Sequence, residues 1–275
     1  MEVVVDHGYD RVTALVTGAS KGLGRAYALE LARRGARVIL LARSETALRH
    51  LAAQIRQGDA AADPEVLVGD LATPEGPGRI VRELRERGLE VDLLVNNAGA
   101  GDAGPFLTRP LDPQLRSVAL NVDGLLALTH ALGAGLVARG RGGIINVSST
   151  AAFQPLPYQA SYAATKAFVL SFTEALAEEL RGTGVHVMAA HPGPIATGFF
   201  DGISAEIDPR RADTPEMIAA RTLDDYARRR AVSYPGRWLY RALTWPARLL
   251  PRPAVARITR GFNRRLQLHE VVDVA

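Results

Sequence analysis

Residues 161–170 read SYAATKAFVL, which places Tyr162 and Lys166 on successive turns of an expected helix. Side chains four residues apart share a helix face. A phenol beside an ammonium is a proton-transfer pair. A free tyrosine has a pKa of about 10 and is a reluctant base at neutral pH. A fixed cation nearby favours the phenolate and draws that value toward the working range. Lysine suits this better than arginine, because its charge is compact and its three donors also reach ribose hydroxyls. Hydride addition to a carbonyl needs such a pair, since the oxygen gains negative charge and then a proton. The plainer reading is a tyrosine and a lysine that merely share an inert helix. Lysine is scarce here: of 33 basic residues only Lys21 and Lys166 are lysine, so each was kept where arginine was the usual choice.

A second cluster points to a ligand with phosphates. Gly18, Gly22 and Gly24 of TGASKGLG follow the apolar run VTALVT (12–17) and open an apolar-periodic stretch to about Arg34. Strand, glycine-rich turn and helix in that order let the backbone approach a pyrophosphate, with the helix N-terminus supplying amide donors. At the end of the next strand the sequence is LLARSE: no carboxylate stands there to hold ribose hydroxyls, and Arg43 follows Ala42. Arg43 and Lys21 would make a cationic pocket suited to a 2′-phosphate. NADP(H) is therefore the expected cofactor, with NAD(H) the alternative. Glu45 is also near enough to pair with Arg43.

These residues need a frame. Strands are expected at 36–42, 65–70, 91–97, 142–149 and 185–191, alternating with helices at 44–57, 75–87, 113–138 and 161–181. Buried-type strands alternating with helices predict an α/β fold with a parallel sheet covered on both faces. Ligands in such sheets bind beyond the carboxyl ends of the strands. A chain of 275 residues, 47% of them hydrophobic, has ample length for that core. The opening MEVVVDHGYD carries acidic groups and no long apolar run, so no leader is expected. No stretch reaches about 18 uninterrupted apolar residues. A cytoplasmic location is the default expectation. The absence of cysteine excludes disulfides and thiolate metal sites, and no metal is expected.

Residues 192–213 lack periodicity and read as a loop beside the site. A helix over 215–229 and a short strand over 231–234 follow. From Arg210 onward 14 arginines face 6 acidic residues, so the C-terminal part is strongly basic while the rest is mildly acidic. Residues 1–234 are expected to form one dinucleotide-binding and catalytic domain. Residues 235–275 are expected to form a basic, amphipathic helical extension. There Arg237, Arg241, Arg248 and Arg252 fall on one stripe. Trp238, Leu239, Ala242, Trp245 and Leu249 fall on another, with Pro246 and Pro251 interrupting. Packing on the parent domain or a sister subunit is the reading preferred over contact with a membrane surface. No nucleic-acid partner is expected.

Taken together, TGASKGLG (17–24), GDL (69–71), NNAG (96–99), Asn121 in LNVDG, INVSS (145–149), YAATK (162–166) and HPGPIAT (191–197) resemble the short-chain dehydrogenase/reductase family. They occur in that family's order and span roughly residues 11–234. The resemblance implies a Rossmann-like, doubly wound three-layer sheet of about seven strands. It also implies hydride transfer between a nicotinamide and a carbonyl/alcohol pair. Ser149, Tyr162 and Lys166 match its catalytic triad, with Asn121 as fourth member. Ser149 is chosen over Ser148 because the family's serine stands thirteen residues before its tyrosine. Ser149 would hydrogen-bond the substrate oxygen, and Asn121 would hold a water near Lys166.

For the cofactor the resemblance implies Gly18, Ser20, Lys21, Gly22, Leu23, Gly24 and Arg43. Asp70 and Leu71 would lie near the adenine, Asn97, Ala98 and Gly99 beside the central strand, and Tyr162 and Lys166 would contribute. Pro192, Gly193, Ile195 and Thr197 would lie near the nicotinamide. His191 reads as a packing or cofactor-side residue rather than a proton donor. Homodimers or homotetramers are the family expectation. Phe153, Leu156 and Phe199 are expected to line an apolar substrate pocket, unless they simply cover the sheet. A hydrophobic ketone, secondary alcohol or 3-oxoacyl-type substrate would suit them. Two other readings stay open: a non-catalytic NADP(H)-binding sensor, and a membrane-peripheral lipid- or steroid-type reductase.

Overall fold

The structure, a computed structural model, describes residues 9–59, 63–197, 210 and 212–272. The alternation holds along the chain: β1 (Thr13–Thr17), α1 (Gly22–Arg33), β2 (Arg37–Ala42), α2 (Glu45–Gly58), β3 (Glu65–Val68), α3 (Gly76–Glu86) and β4 (Leu93–Asn96). There follow α4 (Leu111–Val118), α5 (Leu125–Arg139), β5 (Gly143–Val147), α6 (Ala160–Glu179), β6 (His186–Ala190), α7 (Pro215–Ala227) and β7 (Val232–Ser233). The seven strands are parallel, in the order β3-β2-β1-β4-β5-β6-β7. The chain winds outward from β1 to β3, then crosses back to β4. The switch between β1 and β4 opens a crevice at the strands' carboxyl ends.

The strand alternation fills two cores. Ala14 and Val16 of β1, with Val38 and Leu40 of β2, pack under α1, α2 and α7. Leu15, Ile39 and Leu41 point the other way, onto α3, α5 and α6. Burial on both faces is why these strands read as near-continuous apolar runs. The sheet centre also holds a paired polar seam. Asn96 donates to Asn146 and to Thr129, each at 2.9 Å, and Asn146 donates to Thr173 at 3.0 Å. Every amide in the seam finds a partner, as burial demands.

The helix expected at 113–138 is three pieces. Residues Ala119–Gly124 form a π-helical segment between α4 and α5. Such wide turns occur mostly at functional sites, and this one contains Asn121. Leu111–Arg139 is long and apolar enough to cross a membrane by length and composition, but here its parts pack against α3 and α6.

The extension is likewise three helices, not one interrupted helix: α8 (Trp238–Ala242), α9 (Pro246–Leu249) and α10 (Arg252–Arg265). The prolines start helices rather than merely ending them. Pro246 opens α9 and Pro251 precedes α10, positions where a missing N–H costs nothing. The extension folds back onto the domain. Asn263 donates to the Pro157 carbonyl at 2.7 Å, Thr259 to that of Pro155 at 2.8 Å, and Val255 and Leu268 are buried.

Candidate active site

The turn from β1 into α1 is a cradle with no room for side chains. Gly18 and Gly22 have φ of 69° and 55°, the left-handed region that glycine tolerates. A Cβ on Gly24 would stand 2.2 Å from the Gly18 carbonyl oxygen and 2.5 Å from Asn97 Nδ2. Asn97 donates to the Thr17 carbonyl at 2.9 Å, and Thr17 Oγ1 accepts from the Asn97 and Ala98 amides at 3.0 and 2.8 Å. The end of β4 is thus tied to the turn. The Thr197 methyl lies where a Gly22 side chain would go, which joins the 191–197 strand end to the same cradle. A close backbone approach at the N-terminus of α1 fits a dinucleotide pyrophosphate.

Arg43 is exposed at the end of β2 and lines the same cavity as Lys21. Glu45 pairs with Arg49 at 2.6 Å, one helical turn on, and not with Arg43. Asp70 accepts from the Ala72 amide at 2.9 Å and pairs with Arg116 at 2.9 Å. Burial pushes its carboxyl up, but that amide and the Arg116 and Arg43 cations outweigh it and hold the group below its ordinary value. The residues present therefore suit a dinucleotide.

Tyr162 and Lys166 project from the first turns of α6, and Ser149 follows β5. Tyr162 is hydrogen-bonded to the Ser149 side chain. Lys166 Nζ donates to the Val147 carbonyl at 2.8 Å and stands 5.9 Å from the centre of the Tyr162 ring. Burial dominates both groups. It pushes the phenol up to about 12, against the Ser149 hydrogen bond, and pulls the ammonium down to about 8. The sequence-based picture of a phenol drawn down by its lysine is thus not what sets the phenol here; desolvation is. Ser148 uses its hydroxyl on the Lys166 carbonyl at 2.9 Å, which anchors α6 to β5. Tyr158 sits apart, packed with Ala103, Leu268 and Val271.

Asn121 does not line the cavity. Its amide donates to the Ala100 carbonyl at 2.8 Å and to Thr165 at 3.0 Å, and its oxygen accepts from the Ala100 amide at 2.9 Å. Its side chain therefore fixes the loop after β4 and the start of α6 near Lys166. Gly99 fits between them: a Cβ there would be 3.2 Å from Asn121 Oδ1 and 3.5 Å from Lys166 Nζ.

All the other expected catalytic and cofactor residues line one cavity of about 1500 Å³, and so does Leu156. Phe153 does not. It sits edge-on to His191 at 5.0 Å, stacks on Tyr234 at 6.0 Å, and lies beneath the Arg248 guanidinium at 4.8 Å. Phe199 falls outside the described residues. What the sequence reading missed is the roof. Tyr240, Leu243, Leu250, Ile258, Phe262 and Leu266 of the extension line the same cavity as Tyr162. Tyr240 rests directly on Gly193, whose Cβ would lie 2.6 Å from the ring. The available signal was a run of large apolar residues in a segment too broken by proline to form one helix.

A doubly wound sheet with a glycine cradle at its switch point and a serine–tyrosine–lysine cluster beside it defines a dinucleotide-binding α/β protein of the oxidoreductase type. The short chain dehydrogenase family model matches residues 12–208, and the chain belongs to that family of NAD(P)-dependent oxidoreductases. It is 37% identical over 216 residues to the probable oxidoreductase EphD of Mycobacterium tuberculosis, which covers 75% of this chain but only 36% of EphD. It is 31% identical to the very-long-chain 3-oxoacyl-CoA reductase of Mus musculus, over 92% of this chain and 80% of that one. Among solved structures, a short-chain dehydrogenase from Sphingobium yanoikuyae in complex with NADPH superposes with a TM-score of 0.76 at 32% identity. That match covers 84% of this chain and 92% of the other.

The His191 ring makes a stability prediction. It is 1% exposed, and burial holds its imidazole down to about 4; the Ser149 backbone opposes this, and the Arg248 and Lys166 charges add to it. Unfolded, the ring titrates at about 6.5, so between 6.5 and 4 the unfolded chain binds more protons. This contribution to stability is complete above that window and is lost as pH falls through it. Urea unfolding should show a midpoint that drops across the window, and His191→Phe should flatten the drop.

Proposed function

We propose that this chain is an NADP(H)-dependent reductase of bulky, apolar carbonyl compounds, ketones or 3-oxoacyl thioesters. It rests on Tyr162 and Ser149 lining the same large cavity as leucine, isoleucine and phenylalanine side chains of the extension. Apolar walls with few polar groups at one end select by shape and leave orientation to those polar groups. The substrate for which the mouse relative is named, a very-long-chain 3-oxoacyl-CoA, is of the same kind. Arg43 and Lys21, with no free carboxylate at the end of β2, support NADP(H), as does the NADPH in the Sphingobium structure.

The bound nicotinamide would supply the hydride. Tyr162 then gives its phenolic proton to the substrate oxygen, which Ser149 holds by hydrogen bonding as charge develops. A phenol pushed up to about 12 is protonated at neutral pH and so is charged with the proton it must deliver. Lys166, largely an ammonium at neutral pH with a pKa of about 8, stabilises the phenolate left behind. Asn121 keeps that lysine in place through the loop after β4.

Two substitutions test the reading. Tyr162→Phe should lower kcat/KM for a bulky ketone or 3-oxoacyl thioester by about 10²–10⁴-fold while NADPH binding, followed by fluorescence, is kept. Wild-type turnover in the variant would contradict the proton role. Wild-type protein that binds NADPH tightly and turns over no carbonyl would favour a sensor. Arg43→Asp should shift preference toward NADH by about tenfold or more, the scale of one charge-assisted phosphate contact. An unchanged ratio would remove the cofactor assignment.

A further inference from the structure

From Pro235 through His269 the chain has eight arginines and no aspartate or glutamate. Three of those arginines are engaged within the fold. Arg237 pairs with Asp213 at 3.1 Å, Arg241 lies over Tyr234, and Arg248 lies over Phe153 and Trp245. The remaining five, Arg252, Arg257, Arg260, Arg264 and Arg265, all belong to α10 and make no ion pair among the described residues. At 100° per residue Arg257, Arg260 and Arg264 share one narrow stripe, opposite the Val255, Phe262 and Leu266 side that overhangs the cavity.

The same segment concentrates exposed apolar side chains. Of the seventeen large hydrophobic residues exposed among the described residues, ten lie between Trp238 and Val272. Several of these face the cavity, but Trp238, Trp245 and Leu249 do not line it, and Trp238 and Leu249 are each 78% exposed. Tryptophan and leucine held out in water beside uncompensated arginine form the composition of a helix that lies in a membrane interface. The rings and aliphatic groups enter the headgroup boundary, and the guanidinium groups meet anionic lipid.

We propose that α8–α10 dock the protein on an anionic membrane surface, with Trp238, Trp245 and Leu249 as the apolar wedge and the α10 arginines as the headgroup contacts. Charge complementarity selects this occupant. A lipid surface satisfies five unpaired cations without requiring acidic partners in fixed positions. The roof of the cavity and the docking surface are then parts of one element.

The experiment is co-sedimentation of the full chain with phosphatidylcholine vesicles and with mixed phosphatidylcholine/phosphatidylglycerol vesicles, at low and raised salt. Binding to the anionic vesicles should exceed binding to the neutral ones by about tenfold or more and weaken with salt. Trp238→Ser/Trp245→Ser/Leu249→Ser should lose about tenfold or more in vesicle affinity with an unchanged thermal unfolding temperature. Arg257→Gln/Arg260→Gln/Arg264→Gln should lose the anionic preference alone. Absence of vesicle binding, or equal binding to both compositions, would overturn the proposal. So would a stable dimer in sedimentation velocity that the triple apolar variant splits, which would assign the face to a second copy of the chain.

Discussion

An ammonium buried in the seam between α6 and β5 is the constraint around which the site is arranged. Lys166 is 5% exposed, and its Nζ donates to the Val147 carbonyl at 2.8 Å. An isolated buried charge is costly, and desolvation alone draws this lysine down to about 8. The surroundings are shaped to that side chain. Gly99 leaves space for it, the π-helical turn at Ala119–Gly124 delivers Asn121 to the loop below it, and Ser148 fixes its own backbone carbonyl. Tyr162, one turn earlier on the same helix, is aimed by the same anchors. A helix that shifted by one residue would lose the lysine's acceptor and the tyrosine's serine together.

The chemistry and the selectivity lie on different parts of the chain. Strand ends and turns of the sheet carry the cradle and the proton-transfer cluster. The segment after Pro235 supplies much of the cavity's apolar lining, Leu243, Leu250, Ile258 and Phe262 among it. At their junction Tyr240 lies on Gly193, and Arg237 is paired with the buried Asp213. The backbone at the cofactor side and the helices of the extension are therefore in direct contact. On the proposed reading, this lets the sheet serve a carbonyl substrate whose bulk is read by a separate element.

Most of the sheet and the cradle could be read from the sequence because both are local patterns. Local patterns placed all seven strands, the short β7 included, and the turn glycines announced themselves by position. The features that escaped depend on direction or on long-range fit. The π-helical segment adds no residue type that period-counting detects, so 113–138 read as one helix. Phe153 comes four residues after Ser149, but its side chain leaves the cavity for the His191–Tyr234 cluster, a choice set by packing partners more than 35 residues away. Glu45 was placed near Arg43 by sequence distance, whereas the i, i+4 rule favours Arg49, which it pairs with. In the extension the amphipathic stripe was legible, but three of its arginines lie on aromatic rings or an aspartate of the parent domain. The unpaired cations are further along, on α10.

The chain's lysine scarcity makes the central claim directly measurable. With only Lys21 and Lys166 present, ¹³Cε-lysine labelling yields two resonances, and Lys166→Arg assigns them. The burial account predicts that the resonance lost in that variant titrates with a midpoint of about 8 in the wild-type protein. A midpoint at the ordinary lysine value of 10.5 would contradict it, and with it the picture of a desolvated ammonium organising the site.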